Sequence, residues 1–198
     1  DVKSVGVQAI LFVEDSIHFY SALLPYLYKH VFLQSRSFMT EALNEHEQML
    51  RMRGRPKILL ARNYEEAKEL YDKYQKNLLG LVSDVRFPKD GELYARSGIE
   101  LCEYIREKDK FLPIIIESSE EINKAEADRL QAHFINKSNS LMHLELKEAV
   151  THNFGFGDFN FIDPETNWVV AVVKNLKDLQ QKIFEIPSES LYHHLSKN

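Results

Sequence analysis

The sequence predicts an α/β chain built on a doubly wound, five-stranded parallel sheet. Three observations lead there. Five short apolar runs lack the polar alternation of a half-exposed strand, as strands buried on both faces do. Stretches with apolar residues at helical spacing separate the runs. Strand and helix alternate along the chain, which is the pattern of parallel strands joined by crossover helices.

The first run, residues 8–13, stops at Glu14-Asp15-Ser16. From Ile17 the spacing turns helical through Tyr20, Leu24, Leu27, Tyr28 and Val31. Pro25 falls inside this helix and is expected to kink or end it, at a cost of about 3 kcal/mol in a regular interior. Residues 37–53 form a second amphipathic stretch, which breaks at Arg51, Arg53, Gly54, Arg55 and Pro56. Residues 57–61 make the second strand. Asn63 and Glu66 are spaced as a capping pair and open a helix over 64–76. The third strand, 78–83, ends at Asp84. Residues 85–97 read as a long polar loop with a turn near Pro88 and Gly91. Ser97 and Glu100 repeat the capping spacing ahead of Ile99, Leu101, Cys102 and Ile105. The fourth strand, 113–116, runs out at Glu117-Ser118-Ser119, and a polar helix over 120–131 follows. A short fifth strand, 133–135, ends at Asn136-Lys137, and a helix over 141–151 comes next. Residues 154–198 read as a C-terminal α+β extension, with Phe154, Phe156, Phe159 and Phe161, a turn over 163–167, a β-branched run over 168–173, and a helix opened by Asn175.

The chain has 198 residues, 44% of them hydrophobic and 28% charged, which is the balance of a folded chain. That length suits one large domain, or one of common size with an attached piece. The net charge of −5, from 30 acidic and 25 basic residues, argues against a nucleic-acid footprint. Cys102 is the single cysteine, so no internal disulfide framework is expected; a reducing, cytoplasmic setting fits. No apolar run approaches a membrane span, and the N-terminus lacks a secretory pattern. The chain begins at Asp1 and stops soon after a new helix starts, as expected of a piece of a longer protein.

Parallel strands present their carboxyl ends together, so Glu14, Asp15, Asp84, Ser118 and Lys137 should gather at one sheet edge. Three carboxylates there repel unless a cation or protons intervene. Oxygen ligands favour a hard cation such as Mg²⁺, which one or two carboxylates can hold with positions left for water and phosphate. Lys137 adds a positive charge and Ser118 a hydroxyl. Such a set can bind a phosphoryl group and accept it on a carboxylate.

These residues, in this order, resemble the receiver domain of two-component response regulators. The likeness is carried by Ile10-Leu11-Phe12-Val13-Glu14-Asp15-Ser16, Val82-Ser83-Asp84-Val85-Arg86-Phe87-Pro88, Pro113-Ile114-Ile115-Ile116-Glu117-Ser118-Ser119 and Phe134-Ile135-Asn136-Lys137. It spans about residues 7–153 and implies a flavodoxin-like receiver fold over 1–153, with an insertion at 34–56. It implies that Asp84 is the phospho-acceptor, and that Glu14, Asp15, Asp84 and the backbone carbonyl of Arg86 hold Mg²⁺. It also implies that Ser118 contacts the phosphoryl oxygens, that Lys137 pairs with the acceptor, and that Ser118 and Phe134 are the switch pair. A sensor histidine kinase or phosphotransfer protein is the implied donor, and an attached or partner output domain the implied target. No enzymatic turnover is expected beyond phosphoryl transfer to Asp84 and its hydrolysis. Two departures stand out: Ser138 where the family usually has proline, and a longer segment after Asp84. The insertion ending at residues 50–61 and the tail around 159–164 and 186–193 resemble bacterial phosphoenolpyruvate synthase-related proteins. In those a receiver-like region precedes a PEP/pyruvate-binding part, so 154–198 is expected to lead toward a missing downstream domain.

Other readings stand beside these. The chain could be a receiver-like docking or dimerisation module that does not signal by phosphorylation, with the phenylalanines of 154–161 driving a homodimer. A haloacid-dehalogenase-type phosphatase fits less well, because its two aspartates lie two residues apart after the first strand and here Glu14 and Asp15 are adjacent. Ser118 competes with Ser119 for a helix cap. The arginines at 51, 53 and 55 read as a solvated helix end, Cys102 as a core residue, and the histidines as structural or exposed.

Overall fold

The computed structural model describes residues 7–39, 55–154, 159–162 and 169–173. Its strands are β1 (Ala9–Val13), β2 (Lys57–Ala61), β3 (Leu78–Asp84), β6 (Ile114–Ser118) and β7 (His133–Asn136). They form one parallel sheet in the order β2-β1-β3-β6-β7. Helices α1 (Ile17–Met39), α2 (Tyr64–Tyr74), α3 (Ser97–Lys108) and α4 (Asn123–Arg129) lie in the connections, and α5 (Met142–Phe154) follows the last strand. The expected doubly wound fold is therefore present. A separate antiparallel pair, β8 (Phe159–Ile162) with β9 (Val169–Val173), lies in the extension. Most of the insertion 34–56 and most of 154–198, including the helix expected after Asn175, fall outside the described residues. Among the described residues no helix is long and apolar enough to cross a membrane.

Two apolar layers sandwich the sheet, and period-two alternation along β1 feeds both. Ala9, Leu11 and Val13 join Tyr71, Ile99, Cys102 and Ile105 under α2 and α3. Ile10 and Phe12 join Leu23, Leu27, Val31, Leu146 and Val150 under α1 and α5. Every residue of β1 is buried, which explains its unbroken apolar run. Cys102 is a core residue; burial pushes its thiol up to about 12, so it is inert.

The α2 cap forms as expected: Asn63 Oδ1 accepts from Glu66 N at 2.8 Å, and Glu66 Oε2 accepts from Arg62 N at 2.9 Å. Pro25, by contrast, does not end α1. It lies on the exposed side of the helix, as does Ser21, whose carbonyl loses its partner and can turn to water. Leu23, Leu27 and Val31 pack the inner face and hold the helix on the sheet.

The segment 85–97, expected as a loop, holds a hairpin of β4 (Phe87–Lys89) and β5 (Glu92–Tyr94). Its turn residues Asp90 and Gly91 have φ of 53° and 83°, the left-handed pair that a tight hairpin requires. The capping box expected at Ser97 and Glu100 is absent. Ser97 Oγ donates instead to Phe87 O at 2.6 Å, with Tyr94 O at 3.1 Å, and Glu100 is taken up by Lys89 and Tyr94. Likewise α4 is shorter than the expected 120–131, because residues 119–122 turn around Ser118 before the helix starts.

The α5 terminus closes the domain over β3. A Cβ added at Gly80 meets Phe154 Cε1 at 2.3 Å, so the ring lies directly on the glycine. Gly80→Ala is therefore expected to lose about 1–3 kcal/mol in urea unfolding, as an overpacked core does. Pairing it with Phe154→Leu should recover part of that loss, and strict additivity of the two would refute the contact as the cause.

Candidate functional site

The sheet order places the crevice. β1 connects outward to β2, whereas β3 connects the other way to β6, so the chain diverges between the carboxyl ends of β1 and β3. Ligands bind at such a point in open α/β sheets. Glu14 and Asp15 follow β1, Asp84 ends β3, Ser118 ends β6 and Lys137 follows β7. All five line one cavity of about 320 Å³, and the exposed Arg86 lines it too. Phe134 lies elsewhere: it is half-buried, pairs with Ile116 and packs against the core under α2 and α3.

Lys137 is the centre of the charge network. Its ammonium reaches Glu14 Oε2 at 2.5 Å and Asp84 Oδ2 at 3.1 Å, and its side chain is only 4% exposed. Phe19 covers it, with the ring centroid 4.4 Å from Nζ. Backbone amides hold the other carboxylate oxygens: Ser16 N donates to Glu14 Oε1 at 3.0 Å and Val85 N to Asp84 Oδ1 at 2.8 Å. Burial raises the pKa of Glu14, and the Asp84 charge adds to it against the pull of Lys137. Burial raises Asp84 as well, again against Lys137. Burial alone lowers Lys137, but Asp84 and Glu14 together outweigh it and hold the ammonium above its ordinary value.

Ser118 Oγ accepts from Glu120 N at 3.1 Å and from Asn123 Nδ2 at 2.8 Å. Both bonds use its lone pairs, so its own proton remains for a third group. The rivalry with Ser119 resolves here, since it is Ser118 that organises the turn into α4.

One carboxylate oxygen from each of Glu14, Asp15 and Asp84 lies within 4.8 Å of the others. Among the described residues this trio is the grouping able to share a cation. Three carboxylates against the Lys137 ammonium leave two negative charges, which a divalent cation balances. Mg²⁺ takes its oxygens at about 2.0–2.1 Å, and these three carboxylates are the ones that would hold it. Three protein ligands, well short of the six to eight that Ca²⁺ takes, leave room for water and a bound oxyanion.

Two site residues were not singled out from sequence. Glu117 is fully buried on β6 beside Asp84 in the ladder, and neither of its oxygens has a hydrogen bond among the described residues. Burial raises its pKa to about 8, with Glu14 and Asp84 adding to the rise and Lys137 opposing it. An acid directly after three isoleucines, still inside the strand and ahead of Ser118, was the available signal. The other is Gly98, where an added Cβ meets the Asp84 carbonyl oxygen at 2.0 Å. Its amide donates to Val85 O at 2.9 Å, so the start of α3 is pressed onto the backbone that carries Asp84. No local sequence pattern marks that approach.

No protein-family profile matches the chain, and no curated protein does. Solved structures do. A response regulator receiver domain protein from Clostridium thermocellum is 13% identical over 75% of this chain and 94% of its own, with a TM-score of 0.53. A putative response regulator from Chloroflexus aurantiacus is 18% identical over 75% and 98%, with a TM-score of 0.52. A response regulator receiver protein from Sinorhizobium medicae is 16% identical over 76% and 97%, with a TM-score of 0.50. The narrower likeness to phosphoenolpyruvate synthase-related proteins gains no support from these matches. With its sheet order 2-1-3 continued by β6 and β7 and its acidic crevice at the switch point, the chain has the flavodoxin-like fold of response regulator receiver domains.

Proposed function

We propose that the chain is a phospho-accepting receiver module. Asp84 takes a phosphoryl group from a histidine kinase or phosphotransfer protein, and the change is passed to an attached or partner output region. The observation that carries this reading is Asp84 itself. Its carboxylate is 16% exposed, opens on the cavity, and is held at Oδ2 by the buried Lys137 ammonium.

In the transfer an Asp84 oxygen forms a P–O bond in line with the bond that breaks, and the bonding pair leaves with the donor group. Lys137 is placed to neutralise one phosphoryl oxygen, and Ser118 has a proton to donate to another. Glu14, Asp15, Asp84 and the Arg86 carbonyl would hold Mg²⁺, which supplies further charge neutralisation for the phosphoryl oxygens. Engagement of Ser118 would tug on the turn into α4, and Phe134 on β7 would be the aromatic residue that responds. The chain turns over no other substrate in this reading, and its setting is cytoplasmic.

Incubation with Mg²⁺ and acetyl phosphate should add the mass of one phosphoryl group to the intact chain. Asp84→Asn should abolish the adduct while the fold, read by circular dichroism, is retained. Lack of any adduct that depends on Asp84 would sink the proposal and leave a docking module.

A further inference from the structure

We propose that Leu93 selects the phosphodonor. Sitting on the hairpin between Asp84 and α3, it offers an apolar wall to the leaving group. Donors whose leaving group carries an apolar ring then transfer to Asp84 in preference to compact ones. This role presupposes that Asp84 is the acceptor.

The hairpin is built to hold one face inward and turn the other out. Its register pairs Phe87 with Tyr94, Pro88 with Leu93 and Lys89 with Glu92. Side chains alternate along each strand, so Phe87 and Tyr94 share one face while Pro88 and Leu93 share the other. The first face is the anchor. Phe87 is fully buried, Tyr94 Oη donates to Glu100 Oε1 at 2.9 Å, and Lys89 pairs with Glu100. Ser97 Oγ bonds carbonyls of both strands, and Asp90 N donates to Glu65 Oε1 at 2.9 Å on α2. The hairpin is thus fastened to α2 and α3, and its other face is fixed in place.

On that face Leu93 is 60% exposed, yet it lines the same cavity as Asp84 and Lys137. A lone exposed leucine needs no explanation. This one overhangs a charged site in the company of Ala95 and Phe19, and the Phe19 ring already lies against the lysine that would hold the phosphoryl group. The cavity, about 320 Å³, reaches the lower end of the size of small-molecule pockets, ~300–1,000 Å³. It has room for the organic part of a donor as well as the phosphoryl group, and its apolar lining is where that part can leave water.

Acetyl phosphate and benzoyl phosphate separate this contribution from the chemistry. With either donor an Asp84 oxygen forms the new P–O bond and the P–O bond to the acyl oxygen breaks. The bonding pair departs with the carboxylate, and no proton is gained or lost. The two differ by a phenyl ring in place of a methyl group, and the small difference in leaving-group basicity is the same in every variant, so the change in their ratio reads Leu93. Rates of adduct formation in saturating Mg²⁺, read by intact mass, should favour benzoyl phosphate in the unaltered protein. Leu93→Ser should lower the benzoyl-to-acetyl ratio about fivefold, the size of losing one or two methylene-sized apolar contacts. Leu93→Met, which keeps the apolar wall, should restore the ratio, and Tyr28→Ser on the exposed side of α1 should not alter it. Equal rates in the unaltered protein, or a ratio that Leu93→Ser leaves unchanged, would overturn the role of Leu93 and leave Asp84 as acceptor. Failure of both donors to label Asp84 would instead remove the acceptor itself, and the selector with it.

Discussion

Glu117→Met is expected to stabilise the protein, and to do so by about 3 kcal/mol more at pH 8 than at pH 5. Glu117 has an unshifted value of 4.5 and a folded value of about 8, because burial strips its carboxylate of water and no partner replaces it. The folded state therefore keeps a proton that the unfolded state releases. Its contribution is undiminished below the unfolded value, is lost progressively as the pH climbs toward 8, and levels off above that. Methionine has nearly the same volume and no proton to lose, so the slope goes and the desolvation cost goes with it. Glu117→Gln divides the two effects: it also removes the slope, but it keeps a buried unpaired polar group and so gains less. Urea unfolding between pH 5 and 8.5, without divalent cation and read as the difference from the parent, cancels the other titrating groups. Parallel pH profiles for parent and Glu117→Met would show that Glu117 is ionised in the fold and the argument wrong.

The sheet was legible because its inner strands are buried on both faces. Residues 9–13 and 114–116 have to be apolar without alternation, and the polar residue that stops each run falls where the strand reaches the crevice. The same physics exposed the site, since Glu14, Asp84, Ser118 and Lys137 all fall among the first one or two polar groups where those runs end. What stayed hidden depends on contacts distant in sequence. Pro25 reads as a helix breaker by itself, and only the packing of Leu23, Leu27 and Val31 shows why α1 continues. Ser97 has the spacing of a cap, but Phe87 O, ten residues earlier, takes its hydroxyl. Asp90-Gly91 did carry a hairpin signal; strands of three residues on either side were too short to display alternation. Gly98 is invisible locally, because its reason is the backbone of Asp84.

Lys137→Met should cost about 3–5 kcal/mol at pH 7.5 in the absence of divalent cation. Methionine keeps the apolar stem beneath Phe19 and removes only the charge, leaving Glu14 (fully buried) and Asp84 facing each other with no cation between them. Both carboxyls already bind protons more tightly folded than unfolded, since burial outweighs Lys137. Without the ammonium that excess grows, so the variant loses stability as the pH rises above ordinary carboxylate values. It should recover most of the deficit near pH 4.5, where the acids protonate. Mg²⁺ should rescue it at neutral pH. A cation bound to the folded state alone stabilises it by an amount set by its concentration over its Kd. In the variant it faces three carboxylates that no longer share a lysine. The increase in Tm on adding millimolar Mg²⁺ should therefore be larger in Lys137→Met than in the parent, and Asp15→Asn in the same background should diminish it. A variant as stable as the parent, or one whose Tm ignores Mg²⁺, would mean that the three acids do not form a common cation site, and the phosphoryl chemistry assigned to Asp84 would lose its electrostatic basis.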